Sequence, residues 1–323
     1  MSNKTALVFG AGGFIGNHLV TRLKNEGFWV RGVDRKYPEF GTSDADEFVI
    51  SDLRSQQEAE KSFDRRFDEV YQLAAEMGGA GYVFVGDNDF DVMSNSSLIN
   101  LNVARLCTKE STGRVLFTSS ACVYNENNQS DLNSYTCEER TAYPAQPDSE
   151  YGWEKLFSER LFQTLERNVG VPARIARLHN IFGPRGSWCC GREKAPAAIC
   201  RKVAEAPVGG EIEIWGDGKQ VRSFLYVEEC LDGLRKLMQS DCNEPLNIGS
   251  DQAISINELA LMAIEISGKQ LSLRHTPGPQ GVRARSSDNE LVERMLGWRP
   301  SEPLRAGMEI TYSWIEQQVK LTA

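Results

Sequence analysis

Residues 5–16 read Thr5-Ala6-Leu7-Val8-Phe9-Gly10-Ala11-Gly12-Gly13-Phe14-Ile15-Gly16. A short apolar run ends in glycine, and helical patterning follows through about Lys24. Such a run, bounded by a turn residue, reads as a buried strand. In the G-x-x-G-x-x-G spacing, Gly10 permits the tight strand-to-helix turn. Gly13 lets backbone approach a pyrophosphate, and Gly16 allows close packing of helix on strand. Phe14 and Ile15 open the helix, where unpaired N–H groups and a positive dipole end face outward. The dipole alone is worth about 0.3–1 kcal/mol when exposed, so the geometry of several donors matters more. A second apolar run, residues 28–34, ends in Asp34. A carboxylate there can accept both ribose hydroxyls and would repel a 2′-phosphate, which favours NAD over NADP. Asp52-Leu53, after a third strand, are expected at the adenine.

Further buried strands are expected at 47–50, 69–73, 114–119 and 173–177, with helical patterns between most of them. Strands alternating with helices imply a parallel sheet covered on both faces and joined by right-handed crossovers. The fold class is therefore α/β: a Rossmann-type doubly wound parallel sheet with a smaller C-terminal substrate-binding lobe. The alternation fades after about residue 177. Residues 181–197 read as loop running into a helix, 211–216 and 221–227 as short strands, and 255–267 and 288–297 as helices. Residues 1–177 are expected to form the NAD-binding domain, with 220–250 returning to it. Residues 178–219 and 251–323 are expected to form the lobe.

A chain of 323 residues with formal charge -9 can bury a large core, and its acidity argues against a nucleic-acid surface. No apolar stretch reaches membrane-spanning length, and Met1-Ser2-Asn3-Lys4 leads into a strand with no room for a signal peptide. Eight cysteines without C-x-x-C spacing fit a reduced, cytoplasmic protein. Cys189-Cys190 reads as two thiols in a loop. Three scattered histidines give no sign of a metal site.

Tyr151-Gly152-Trp153-Glu154-Lys155 is Y-x-x-x-K, which places Tyr151 and Lys155 on one helix face. Lys155 can then lower the phenol pKa and bind the nicotinamide ribose, while Ser120 hydrogen-bonds a substrate oxygen. With the glycine fingerprint, this resembles the extended short-chain dehydrogenase/reductase superfamily, in its nucleotide-sugar-modifying branch. Leu73-Ala74-Ala75 fits the superfamily's strand-four motif at the cofactor. Asn180–Pro184, Arg222–Val227 and Asn247-Ile248-Gly249 fit its later motifs.

Finer features resemble the GDP-mannose 3,5-epimerase family. They are Ala75-Glu76-Met77-Gly78-Gly79-Ala80-Gly81, Ser119-Ser120-Ala121-Cys122-Val123-Tyr124, Gly191-Arg192-Glu193-Lys194-Ala195-Pro196, Trp215–Gly218, Pro277–Arg283 and Arg285–Asn289. The resemblance implies that NAD takes hydride from C4 while Tyr151 takes the hydroxyl proton. The ketone acidifies C3 and C5, where Cys122 and Lys194 act as acid and base on opposite faces. Hydride then returns to C4, giving GDP-L-galactose or GDP-L-gulose. A thiolate beside an ammonium would supply base and acid together near neutral pH. The resemblance also implies Gly79, Asn180, Glu193 and Ser287 as substrate contacts, and Lys202 and Arg222 as diphosphate ligands. His179 reads as a structural hydrogen-bonding residue.

Tyr82–Asp87 departs from the family pattern, as does Trp188-Cys189-Cys190, where the resemblance leads us to expect a lysine and a glycine. Competing readings stay open. A 4-epimerase needs neither Cys122 nor Lys194. An epimerase-reductase like GDP-fucose synthase uses NADPH, against Asp34. A 4,6-dehydratase wants an acidic pair where this chain has Ala121-Cys122. A non-catalytic NAD(H) sensor would not need both Tyr151 and Lys155. The apolar face Leu156, Phe157, Leu161, Phe162 and Leu165 suggests a twofold homodimer.

Overall fold

The computed structural model describes residues 4–109, 112–129, 136–278 and 281–322. Met1–Asn3, on which the reading of the N-terminus leaned, and Pro279-Gln280 of the Pro277–Arg283 motif lie outside the described residues.

Seven strands form the central sheet: β1 (Thr5–Phe9), β2 (Trp29–Asp34), β3 (Glu47–Ile50), β4 (Glu69–Gln72), β5 (Arg114–Ser120), β6 (Ala173–Leu178) and β7 (Leu246–Ile248). Their spatial order is β7-β6-β5-β4-β1-β2-β3, and every neighbouring pair is parallel. The order reverses at β1, so a crevice opens beside its carboxyl end, next to β4. The fold is α/β and Rossmann-like.

The apolar run of β1 is buried on both sides for a reason visible in its alternation. Ala6 and Val8 join one core, with the helices Phe14–Asn25 and Val227–Gln239. Leu7 and Phe9 join the other, with the helices Asp89–Lys109 and Glu150–Val169. Each fully buried side chain of this size contributes about 1.5–3 kcal/mol.

A second lobe surrounds a third core. The helices Ala195–Glu205, Ile256–Ser267 and Leu304–Thr322 pack there with the parallel pair Glu211–Trp215 and Ser272–Thr276. Ser255 caps the middle helix through a reciprocal box with Glu258. A four-stranded sheet, in the order Ala253–Ser255, Val221–Ser223, Ala284–Ser287, Thr136–Cys137, lies between this core and the site.

The single strand expected at 221–227 breaks in two. Val221–Ser223 pairs with Ala253–Ser255, while Leu225–Tyr226 pairs with Ile181–Phe182. Phe224, between them, is buried in the third core, which turns the chain. The stretch expected as loop from 181 thus begins with a two-residue strand. The helix expected at 288–297 is Glu290–Leu296.

Candidate active site

The glycine loop is held by contacts that leave no room for side chains. Gly10 takes φ +83°, and a Cβ on it would meet Ala74 N at 2.8 Å. This is where Leu73-Ala74-Ala75, leaving β4, abuts the turn. A Cβ on Gly16 would sit 2.0 Å from Gly10 O. Gly13 differs: a Cβ there would meet only Gly10 O, at 3.2 Å, so its other side is open. It caps the helix Phe14–Asn25 with no side-chain hydrogen bond, leaving the first N–H groups at Phe14 and Ile15 to other acceptors. Asn17 Oδ1, in the same first turn, is buried without a partner.

Asp34 accepts from Gly12 N at 2.9 Å and from Lys36 N at 3.3 Å. Burial pushes its carboxyl above the ordinary value, against these hydrogen bonds. A pocket is lined by Gly12, Gly13 and Asn17 together with Lys36 and Arg185. Open backbone at Gly13, an uncapped helix start and an acidic strand end fit a dinucleotide. Gly12 was missed in the sequence, although it ties the loop to Asp34; the double glycine Gly12-Gly13 was its only signal. Asp52 is engaged by Arg54, at 2.5 Å, which lowers its pKa. Leu53 packs into the second core, and its carbonyl accepts from Asn102.

The helix Glu150–Val169 starts where Ser149 accepts from Gly152 N, and ends at Gly170 in the left-handed region. That start sets Tyr151 against the end of β5. A Cβ on Gly152 would lie 2.1 Å from Cys122 O, so only glycine allows the approach. The Ser120 hydroxyl accepts from Cys122 N at 3.2 Å and also interacts with the Tyr151 phenol. Lys155 Nζ donates to Thr118 O at 3.0 Å and lies 5.6 Å from the Tyr151 ring centre. The expectation that Lys155 lowers the phenol pKa is corrected here. Burial pushes Tyr151 well up and Lys155 down, and Ser120 supplies the opposing hydrogen bond at the phenol.

Cys122 follows Ser120 in a short turn, Ala121–Val123. Its direct cationic partner is Arg285, whose Nη1 lies 3.5 Å from Sγ. Arg285 is itself held by Asp148 and by Gln129. Lys194 caps the helix Ala195–Glu205, with Pro196 in the first turn, and interacts electrostatically with Cys122. The expected thiolate–ammonium pairing is also corrected. Burial pushes the Cys122 thiol up, reinforced by Asp148 and opposed by Arg285. Burial pushes the Lys194 amine down. Arg285 is read from the sequence only as the start of the Arg285–Asn289 motif, with no role at the site; in the structure it is 6% exposed.

Gly79 meets the 191–194 loop. Its N–H donates to Arg192 O at 3.1 Å, and a Cβ there would sit 2.3 Å from Glu193 O. Glu193 accepts from Gly191 N at 2.7 Å and from Arg201 at 3.1 Å. Arg222 donates to Val221 O and Val282 O, and burial lowers its pKa to about 10. Arg222, Arg285, Asp148 and Cys122 act on one another electrostatically. Lys202 donates to Glu213 O at 2.7 Å and lies over Trp215, away from that group. Asn180, at φ +44°, donates to Ser223 O. Ser287 is 1% exposed and donates to Asn289 at 2.7 Å. His179 is fully buried, and its Nε2 lies 2.8 Å from Asn247 Oδ1. No group of three or more metal-ligating side chains is gathered among the described residues.

A model of the NAD dependent epimerase/dehydratase family matches residues 6–249. GDP-mannose 3,5-epimerase of Arabidopsis thaliana is 43% identical over 315 residues, covering 97% of this chain and 82% of the relative. GDP-mannose 3,5-epimerase 1 of Oryza sativa subsp. indica is 42% identical with the same coverage. Among solved structures, UDP-glucuronic acid 4-epimerase from Bacillus cereus, in complex with UDP-glucuronic acid and NAD, superposes with a TM-score of 0.82. It is 25% identical, covering 97% of this chain and 99% of that one.

Proposed function

The chain belongs to the NAD dependent epimerase/dehydratase family, and from that premise we propose that it epimerises GDP-mannose at C3 and C5 to GDP-L-galactose, with GDP-L-gulose as the product where C5 alone inverts. It is an isomerase resembling GDP-mannose 3,5-epimerase, and its cofactor is NAD. Gly10, Gly13, Gly16, Phe14, Ile15 and Asp34 would hold NAD, with Leu73, Ala74 and Ala75 beside it and Tyr151 and Lys155 at its reacting end. Asp52 and Leu53 would contribute backbone at the adenine. When bound, NAD supplies reversible hydride acceptance at C4.

The observation that carries the reading is the group Tyr151, Cys122 and Lys194, gathered at the end of β5. Tyr151 takes the C4 hydroxyl proton in its phenolate form, which burial disfavours and the Ser120 hydrogen bond supports, and returns that proton at the end. The C4 ketone acidifies the neighbouring C–H bonds. Inversion then needs a group on each face of the carbon. Thiol plus amine holds the same number of protons as thiolate plus ammonium. Burial favours the neutral arrangement, with Lys194 ready as base and Cys122 as acid. A positioned acid or base is typically worth about 10²–10⁴ in rate. Arg222 supplies positive charge for the diphosphate beside this group, and Lys202 further out. Gly79, Asn180, Glu193 and Ser287 line the sugar side through backbone and side-chain polar atoms.

Incubation with GDP-mannose in D₂O, followed by NMR, tests the reading. Deuterium is expected at C3 and C5 and none at C4. Turnover without deuterium at either carbon would favour a 4-epimerase.

The proposal extends to a twofold homodimer paired through the helix Glu150–Val169. Leu156, Phe162 and Leu165 are spent on the core, whereas Trp153 and Phe157 remain 42% and 49% exposed on its outer face. No helix among the described residues is long and apolar enough to cross a membrane. The reaction is assigned to the cytoplasm on the reduced cysteines.

A further inference from the structure

Cys189 and Cys190 are adjacent in sequence, and their sulfurs lie 2.8 Å apart. Cys190 takes φ +69° and Gly191 φ +83°. The left-handed region suits glycine but strains a side chain such as that of cysteine. The short sulfur–sulfur distance puts both thiols on one side of this turn. Cys189 rests against the third core, whereas Cys190 is exposed. The hydrogen bond shared with Cys190 pushes the Cys189 thiol up to about 11.

We propose that Cys189 and Cys190 form a redox-reactive vicinal dithiol, oxidised by small disulfides to an eight-membered cyclic disulfide that disturbs the loop carrying Lys194. Exposed Cys190, as thiolate, attacks one sulfur of the oxidant RSSR, forming a mixed disulfide and releasing RS⁻, which takes up a proton. The Cys189 sulfur then attacks Cys190 Sγ, expelling the second RS⁻ as the Cys189 proton leaves. Two S–H bonds are lost and one S–S bond is gained, and RSSR is reduced to two RSH. Exposed, strained disulfides are oxidising and labile, so the ring is reversible.

Adjacent Cα atoms lie about 3.8 Å apart, closer than the roughly 4.4–6.8 Å usual across a disulfide, so closing the ring strains and shifts the backbone at 189–190. Three contacts carry that movement to the site. Trp188 O accepts from Arg201 Nε at 3.2 Å. Gly191 N is held by Glu193 at 2.7 Å. Arg192 O accepts from Gly79 N at 3.1 Å. Lys194 is the next residue after Glu193, so the base and the Gly79 loop shift together. This effect on activity rests on the function proposed above; the dithiol chemistry does not.

The full chain is treated with oxidised glutathione, free thiols are blocked with iodoacetamide, and peptides are weighed. The peptide holding Cys189 and Cys190 is expected to lose two hydrogens, escape alkylation and recover with dithiothreitol. Cys189→Ser is expected to trap glutathione on Cys190. Epimerisation should fall on oxidation and return on reduction, and Cys189→Ser/Cys190→Ser should stay active and insensitive. Alkylation of both thiols after oxidation, or a stable glutathione adduct in the unchanged chain, overturns the dithiol. Ring formation with unchanged turnover overturns the link to the loop. A chain that never epimerises refutes the proposed function while the mass measurement still decides the dithiol.

Discussion

Arg285 Nη1 lies 3.5 Å from the sulfur of Cys122, and the same guanidinium is bound by Asp148. The thiol therefore feels a cation and an anion of opposite effect, and burial is the largest influence on its state. Lys194, Tyr151, Lys155, Arg222 and Cys137 also interact with it electrostatically. Asp148→Asn removes a charge that raises the thiol pKa, so alkylation of Cys122 should begin at lower pH. Arg285→Gln should move it to higher pH. Peptide-resolved iodoacetamide rates across pH check both, and identical profiles in the two variants would refute the opposition of the two charges.

Cys122→Ala should abolish epimerisation while leaving reduction of bound NAD on mixing with substrate, read as absorbance of the reduced nicotinamide. Tyr151→Phe should lose both. The loss for either is expected to be about 10²–10⁴ in rate. Unchanged turnover in Cys122→Ala would reduce the thiol to packing.

Gly152→Ala should cripple the enzyme without touching a reacting group. Its Cβ has no place beside Cys122 O, so the helix must retreat from β5 and carry Tyr151 with it. The stability cost is expected near 1–3 kcal/mol, as for other overpacked sites. Denaturant unfolding and kcat together check this; wild-type kcat would contradict the packing argument.

His179 gives a pH dependence of stability. Burial lowers its pKa from 6.5 to about 3 in the folded chain. The unfolded chain then binds the extra proton first, so stability is lost as pH falls from about 6.5 toward about 3. The slope from this one group is at most about 1.4 kcal/mol per pH unit. His179→Gln can keep a hydrogen bond to Asn247 without the titration, and should flatten the slope in urea unfolding at pH 7 and pH 5.

Phe157→Lys tests the pairing face. Phe157 is 49% exposed, so the monomer should fold normally. Light scattering after size exclusion should show the twofold assembly halved in mass; an unchanged mass would move the interface elsewhere.

Much of this was legible because the determining signals are local. The β1 run and Gly10, Gly13 and Gly16 announce strand, turn and helix within a dozen residues. Y-x-x-x-K declares its face through helix periodicity alone. What stayed hidden depends on chain segments far apart. Arg285 reaches Cys122 across 163 positions, and its local motif gives no sign of that contact. The pKa directions were misjudged for the same reason, since pairing can be guessed from motifs but desolvation needs the enclosing walls. The break at Phe224 came from tertiary burial overriding a β-prone run.

Asp34 does two jobs with one carboxylate. In the proposed function it would meet the cofactor's ribose, and in the structure it fastens Gly12 N, while Gly12 is pressed so close that a Cβ would sit 2.2 Å from Lys36 O. A designer seeking to convert the enzyme to a phosphorylated dinucleotide would replace that acid first. The exchange would unlatch the turn as well as remove the charge, so preference and affinity would fall together unless a new acceptor for Gly12 were installed in the same step.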